Sequence, residues 1–106
     1  VESVEALDPV VKSLATTRSL FSAQMCTSPQ NVYVPREGVR VGERRMPADE
    51  FGAALAAAIA AIAGDPRRAG PIMAAIQSPG TPALIDEIAA AGAARGRVLQ
   101  ASAPYA

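Results

Sequence analysis

Histidine and tryptophan are absent from this 106-residue chain, and cysteine occurs once. Without histidine these residues can build neither a Cys-His dyad nor an imidazole metal site, and one thiol cannot make a zinc cage or an internal disulfide. A single cysteine fits a reducing compartment, so the expected location is the cytoplasm. Basic and acidic residues number ten each, which leaves no overall field to recruit nucleic acid or an anionic membrane surface. No Gly-rich phosphate loop of either common pattern occurs. The longest apolar run, Phe51 to Ala63, is shorter than the roughly 20 residues that cross a bilayer. Val1-Glu2-Ser3-Val4-Glu5 has no basic start of a secretory signal, so none is expected.

Half of the residues count as hydrophobic, yet 24 are alanine and only two are Phe and two Tyr. Alanine buries little area, so the core this chain can form is limited, and it is expected to lean on neighbouring protein. The start at Val1 and the end at Pro104-Tyr105-Ala106, just after a strand-like segment, read like a section of something longer.

Along the chain, Asp8-Pro9 is a helix-start signal, and Val10, Leu14, Thr17 and Phe21 recur at helical spacing, predicting a helix from about Pro9 to Ser22. Asn31 to Val34, closed by Pro35, predicts a strand. Arg36 to Arg45 reads as a solvated loop with room for a hairpin-like turn; four Arg without interleaved aromatics do not make a nucleic-acid patch. Met46-Pro47-Ala48-Asp49-Glu50 opens a second helix with Phe51, Leu55, Ile59 and Ile62 as its stripe and Gly64 as its stop. Asp65-Pro66 starts a third helix, predicted to reach Ile76 with a kink or split at Gly70-Pro71. Thr81-Pro82 starts a fourth, with Leu84, Ile85 and Ile88 facing inward, Gly92 and Gly96 framing its end, and Arg97 to Ala101 following as a strand. Asp86 and Glu87 point in different directions on that helix, which makes them a solvated face and not an acid/base couple.

The segment Phe21-Ser22-Ala23-Gln24-Met25-Cys26-Thr27-Ser28-Pro29-Gln30-Asn31 holds the lone thiol. A lone cysteine is by itself most often a small packed hydrophobe. This one sits in the connection between a predicted helix and a predicted strand, where rigid elements present reactive groups. With Gln24 two residues before Cys26, a long helix upstream and a short apolar strand downstream, the segment resembles the nucleophile region of the aldehyde dehydrogenase superfamily. Gly64-Asp65-Pro66 after the second helix resembles a turn of the same family. Gln24 to Asn31 followed by the Pro35-Arg36-Glu37-Gly38 loop is most similar to the branch that acts in phenylacetate degradation. Two departures stand out: the Gly often found before the Gln is Ala23, and the Arg common five residues after the cysteine is Asn31.

The resemblance implies an α/β fold, part of an aldehyde dehydrogenase-like catalytic domain with about four helices and two short strands. Residues 1–106 are then a partial, nucleophile-bearing domain, and the dinucleotide-binding domain lies outside the chain. It implies Cys26 as nucleophile and backbone oxyanion donor. Gln24 is then a supporting group, since an amide does not titrate. It also implies an aldehyde substrate and NAD or NADP as hydride acceptor, bound mainly by regions beyond this chain. The general-base Glu and the oxyanion Asn of the family lie outside these residues, so the chain alone is expected to be inactive. The implied partners are the rest of the parent polypeptide and, at full length, further copies in a homo-oligomer. Two rival readings are a dehydrogenase that passes the acyl group to coenzyme A and a non-catalytic Ala-rich helical module in which Cys26 is merely packed.

Overall fold

The computed structural model describes residues 1–103; the predicted end at Pro104-Tyr105-Ala106 lies outside them. Its elements are β1 (Ser3–Val4), α1 (Leu7–Ser19), β2 (Val39–Val41), β3 (Arg44–Met46), α2 (Ala48–Ala63), α3 (Pro66–Ala69) and α4 (Thr81–Arg95). The architecture is mixed α/β, as expected, but the strands fall elsewhere. β1 pairs in parallel with β2 (Ser3 opposite Arg40, Val4 opposite Val41), and β2 pairs antiparallel with β3 (Val39 opposite Met46, Val41 opposite Arg44).

The arginine-rich stretch is therefore a hairpin. Its two-residue loop is Gly42-Glu43, and only Gly42 has a positive φ, +58°, the pattern of a type II′ turn. Gly38, at φ +102°, brings the strand under the start of α2: a Cβ there would lie 2.2 Å from the Met46 carbonyl oxygen.

Neither predicted strand forms. Asn31–Val34 is without strand pairing, with Tyr33 exposed and Val34 packed on the core. A strand exists only where a neighbour takes up its backbone groups in a ladder, and here the Val1 amino group bonds the Tyr33 carbonyl but no ladder forms. Arg97–Ala101 is not a strand either. Leu99 lies so close over Gly52 of α2 that a Cβ at Gly52 would meet its Cδ1 at 2.9 Å, and Arg97 reaches Asp49 at 3.6 Å on the surface.

The core lies between α1, α2 and the hairpin: Val11, Val39, Met46 and Phe51 are buried, with Leu7, Leu14, Val34 and Val41 packed around them. Burying Phe51 contributes about 2–3 kcal/mol. Phe51 and Ile62 bear out the α2 stripe. On α1 the buried residues are Val11, Ala15 and Ser19, and Phe21 is exposed, so the inward face is rotated by a residue from the expected one. The helix also starts earlier, at Leu7 with Ala6 as cap, and Asp8 stands in its first turn without capping it. The reason is tertiary: α1 turns whichever face meets Phe51 and Val39, and alanine at position 15 permits close approach to α2.

Asp65 caps α3 as predicted, accepting from the Arg67 N–H at 2.9 Å, with Pro66 at the first helical position. The helix stops at Ala69, well short of Ile76, because Pro71 has no N–H to continue it. α4 spans the predicted residues but buries none of them: Leu84 and Ile88 are exposed, because no helix or strand among the described residues packs closely on it. No helix in the described residues is long and apolar enough to cross a membrane.

Two glycine replacements should separate the close approach from the turn. Gly38→Ala is expected to destabilise the fold by about 3 kcal/mol or more, from backbone strain and overlap with Met46. Gly42→Ala, where a Cβ finds open room 3.6 Å from the nearest atom, should cost only about 1 kcal/mol. Urea denaturation of the two variants checks the order.

Candidate active site

α1 does not run on to Ser22. It ends at Ser19, and Leu20–Ala23 form a single tight turn in which Phe21, Ser22 and Ala23 hold φ of +52°, +57° and +64°. None of the three is glycine. The chain thus reverses its hand before Gln24 and enters a second turn, closed by the Ser28 N–H donating to the Met25 carbonyl at 3.0 Å. Cys26 is the residue after Met25 in that turn, and it is exposed. It is neither sealed in a helix seam nor on the apolar face of an element.

Both ends of this segment are tied down. On the upstream side the partner is the irregular stretch 72–77 that follows α3. The Phe21 N–H donates to the Ile72 carbonyl at 2.7 Å. The Ser22 hydroxyl donates to the Ala74 carbonyl at 2.6 Å and accepts from the Ala74 N–H at 3.0 Å. Gln24 uses both ends of its amide: Nε2 donates to the Phe21 and Ala75 carbonyls at 2.9 Å each, and Oε1 accepts from the Gln77 N–H at 3.0 Å. On the downstream side Ser28 is buried and its hydroxyl donates to the Thr17 carbonyl of α1 at 3.3 Å. The stretch 72–77 is itself held to α3 by the Ile72 and Met73 N–H groups, which donate to the Ala69 carbonyl at 3.0 and 2.7 Å.

This arrangement can present a thiol to solvent in a defined direction. No acceptor among the described residues takes the Cys26 N–H. Among the described residues no carboxylate, amide or other polar group is bonded to the thiol, and no group of three or more His, Cys, Asp or Glu side chains able to hold a metal is found. Among the described residues, neither of two surface hollows is lined by Cys26. One, about 580 Å³, lies between Arg36, Arg45 and the start of α2; the other, about 200 Å³, lies between α1, α2 and Pro29 to Val32.

Of the two residues singled out from sequence, Gln24 and Cys26 lie in one short segment, and Gln24 joins it to 72–77. Sequence reasoning missed Ser22 and the stretch 72–77. The break at Gly70-Pro71 was the one available sign that a helix there would not persist.

Neither a protein-family model nor a curated protein matches the chain. A solved structure does: the crystal structure of an NAD-dependent aldehyde dehydrogenase from Burkholderia multivorans is similar over 94% of this chain, at 41% identity and a TM-score of 0.82. The fold is that of an aldehyde dehydrogenase segment. The chain spans 17% of the length of that enzyme, so the similarity describes one part of an aldehyde dehydrogenase architecture. The Gly that aldehyde dehydrogenases often carry before the Gln falls at Ala23, where φ is +64°, a backbone state that glycine adopts without crowding.

Ala23→Gly is therefore expected to stabilise the fold by about 1 kcal/mol, the reverse of the usual Ala-to-Gly effect. Chemical denaturation compared with wild type checks it.

Proposed function

We propose that this chain is the nucleophile-bearing part of an aldehyde dehydrogenase: residues 1–106 form part of the catalytic domain, and the dinucleotide-binding domain lies outside them. The parent protein would oxidise an aldehyde to a carboxylic acid with NAD or NADP as acceptor. The observation that carries this reading is the exposed Cys26 at an anchored turn in a segment 41% identical to an aldehyde dehydrogenase.

In the proposed reaction the Cys26 thiol loses its proton to a base supplied from outside these residues, and the sulfur attacks the carbonyl carbon. The S–C bond forms as the C=O π bond breaks, leaving a thiohemiacetal whose oxygen carries the negative charge. The Cys26 N–H, without a protein acceptor among the described residues, is suited to receive that charge, a contribution of about 3 kcal/mol for a well-placed donor. Gln24 neither gives nor takes a proton. Its amide ties the turn to 72–77 and so supports the sulfur's position.

Three short strands and no Gly-rich turn make no cradle for a dinucleotide among the described residues, so NAD or NADP is assigned to other parts of the parent. The chemistry of this chain stops at the thiohemiacetal. The run Gln24 to Asn31 with its Pro35-Arg36-Glu37-Gly38 continuation favours a place in phenylacetate catabolism for the parent protein. A cytoplasmic homo-oligomer is the proposed setting.

The test is reduction of NAD or NADP by the protein at its natural length with a panel of aldehydes, arylacetaldehydes included. Cys26→Ser should lower kcat at least about a thousandfold, and aldehyde should protect Cys26 from iodoacetamide. Wild-type turnover by Cys26→Ser, or slow labelling unaffected by aldehyde, would remove the reading and favour a packed cysteine. The 106-residue chain alone should reduce no NAD.

A further inference from the structure

Phe21, Ser22 and Ala23 are left-handed in succession, a state L residues avoid because Cβ crowds the following carbonyl oxygen. Such a turn persists only where surrounding contacts over-determine it. Of its three side chains only that of Ser22 can hydrogen-bond, and it bonds twice to one residue 52 positions away: the hydroxyl gives its proton to the Ala74 carbonyl at 2.6 Å, with Met73 Sδ a longer second acceptor at 3.6 Å, and takes that of the Ala74 N–H. The pair is part-buried, so water competes poorly for it. The Phe21 N–H to Ile72 bond precedes it, and the Gln24 amide bonds to Ala75 and Gln77 follow it. Ser22 is the middle rung.

We infer that Ser22 is a positioning residue for Cys26: its two-way bond with Ala74 holds the left-handed turn against relaxation and thereby keeps the thiol at the exposed corner of the next turn. The inference rests on the reading of Cys26 as nucleophile, and it extends that reading to a residue that touches no substrate. Without the rung, Phe21 to Ala23 relax toward right-handed dihedrals, and Cys26, four residues on, is displaced.

Two substitutions separate the restraint from the strain. Ser22→Ala removes both hydrogen bonds and keeps the crowding of a left-handed Cβ. Ser22→Gly removes the bonds and the crowding together, since glycine takes φ near +57° freely. In the protein at its natural length, Ser22→Ala is expected to lower kcat about tenfold or more, with KM for aldehyde and cofactor within about twofold, because misplacement of the nucleophile acts on the chemical step. Alkylation of Cys26 by iodoacetamide, followed by mass spectrometry, should slow roughly threefold or more as the thiol leaves its exposed corner. Ser22→Gly should recover part of both losses and stay measurably below wild type, since it relieves the crowding but still lacks the rung. Wild-type kcat and alkylation in Ser22→Ala overturn the proposal, and so does a Ser22→Gly protein no better than Ser22→Ala. Should Ser22→Ala not fold, Ser22→Gly carries the test, and alkylation at the wild-type rate in the folded glycine variant overturns it. Alkylation needs no turnover. A wild-type protein that oxidises no aldehyde would therefore remove the proposed reaction, while the alkylation rates still decide the role of Ser22.

Discussion

The bonds between residues 21–24 and the stretch 72–77 join the two halves of the chain at the place where its thiol is presented. Six hydrogen bonds cross that junction: from Phe21 to Ile72, from Ser22 to Met73, both ways between Ser22 and Ala74, from Gln24 to Ala75, and from the Gln77 N–H to Gln24. They are possible because 72–77 is not helical: in a helix continued to Ile76 its carbonyls and N–H groups would be engaged within the helix itself. Pro71, by ending α3 at Ala69, leaves those groups for the turn. The capped start of α3 at Asp65 and the buried Ala69 set where that free stretch begins.

The core serves the same end from below. Phe51 of α2 and Val39 and Met46 of the hairpin fix the rotation of α1, and the rotation of α1 decides where its last turn lets go of the chain. Ser28, tied to the Thr17 carbonyl, returns the segment to α1 after Cys26. The apolar side of α4 takes no part in this core, and Leu84 and Ile88 stay in contact with solvent among the described residues. That division matches a chain rich in alanine, whose larger apolar side chains suffice for one small cluster and leave a second helix uncovered.

Much of the local architecture was legible. Asp65-Pro66 names its helix start because the carboxylate and the missing N–H act within one turn, and Gly42-Glu43 between apolar and arginine-bearing residues forms the hairpin to which the Arg36–Arg45 stretch was open. Phe51 and Ile62 followed from period alone. The strands at Asn31–Val34 and Arg97–Ala101 were misread because apolar and β-branched composition marks a segment that can pair, whereas pairing needs a second chain segment beside it in a ladder. Leu84 and Ile88 were misread for the corresponding reason, while Ile85 is half-buried: a stripe on a helix shows which side can be buried, not that something buries it.

At the site, the sequence by itself determined the two candidate residues, Gln24 and Cys26, their spacing, and their place in a connection beyond a long helix. These are matters of residue type and near neighbours. Tertiary structure alone decided that Phe21-Ser22-Ala23 would be left-handed, that Ser22 would meet Ala74, and that the thiol would face solvent. No local preference favours three such residues in that conformation. Only bonds to a stretch some fifty residues farther along can hold them there, and that pairing is set by how the helices between them pack.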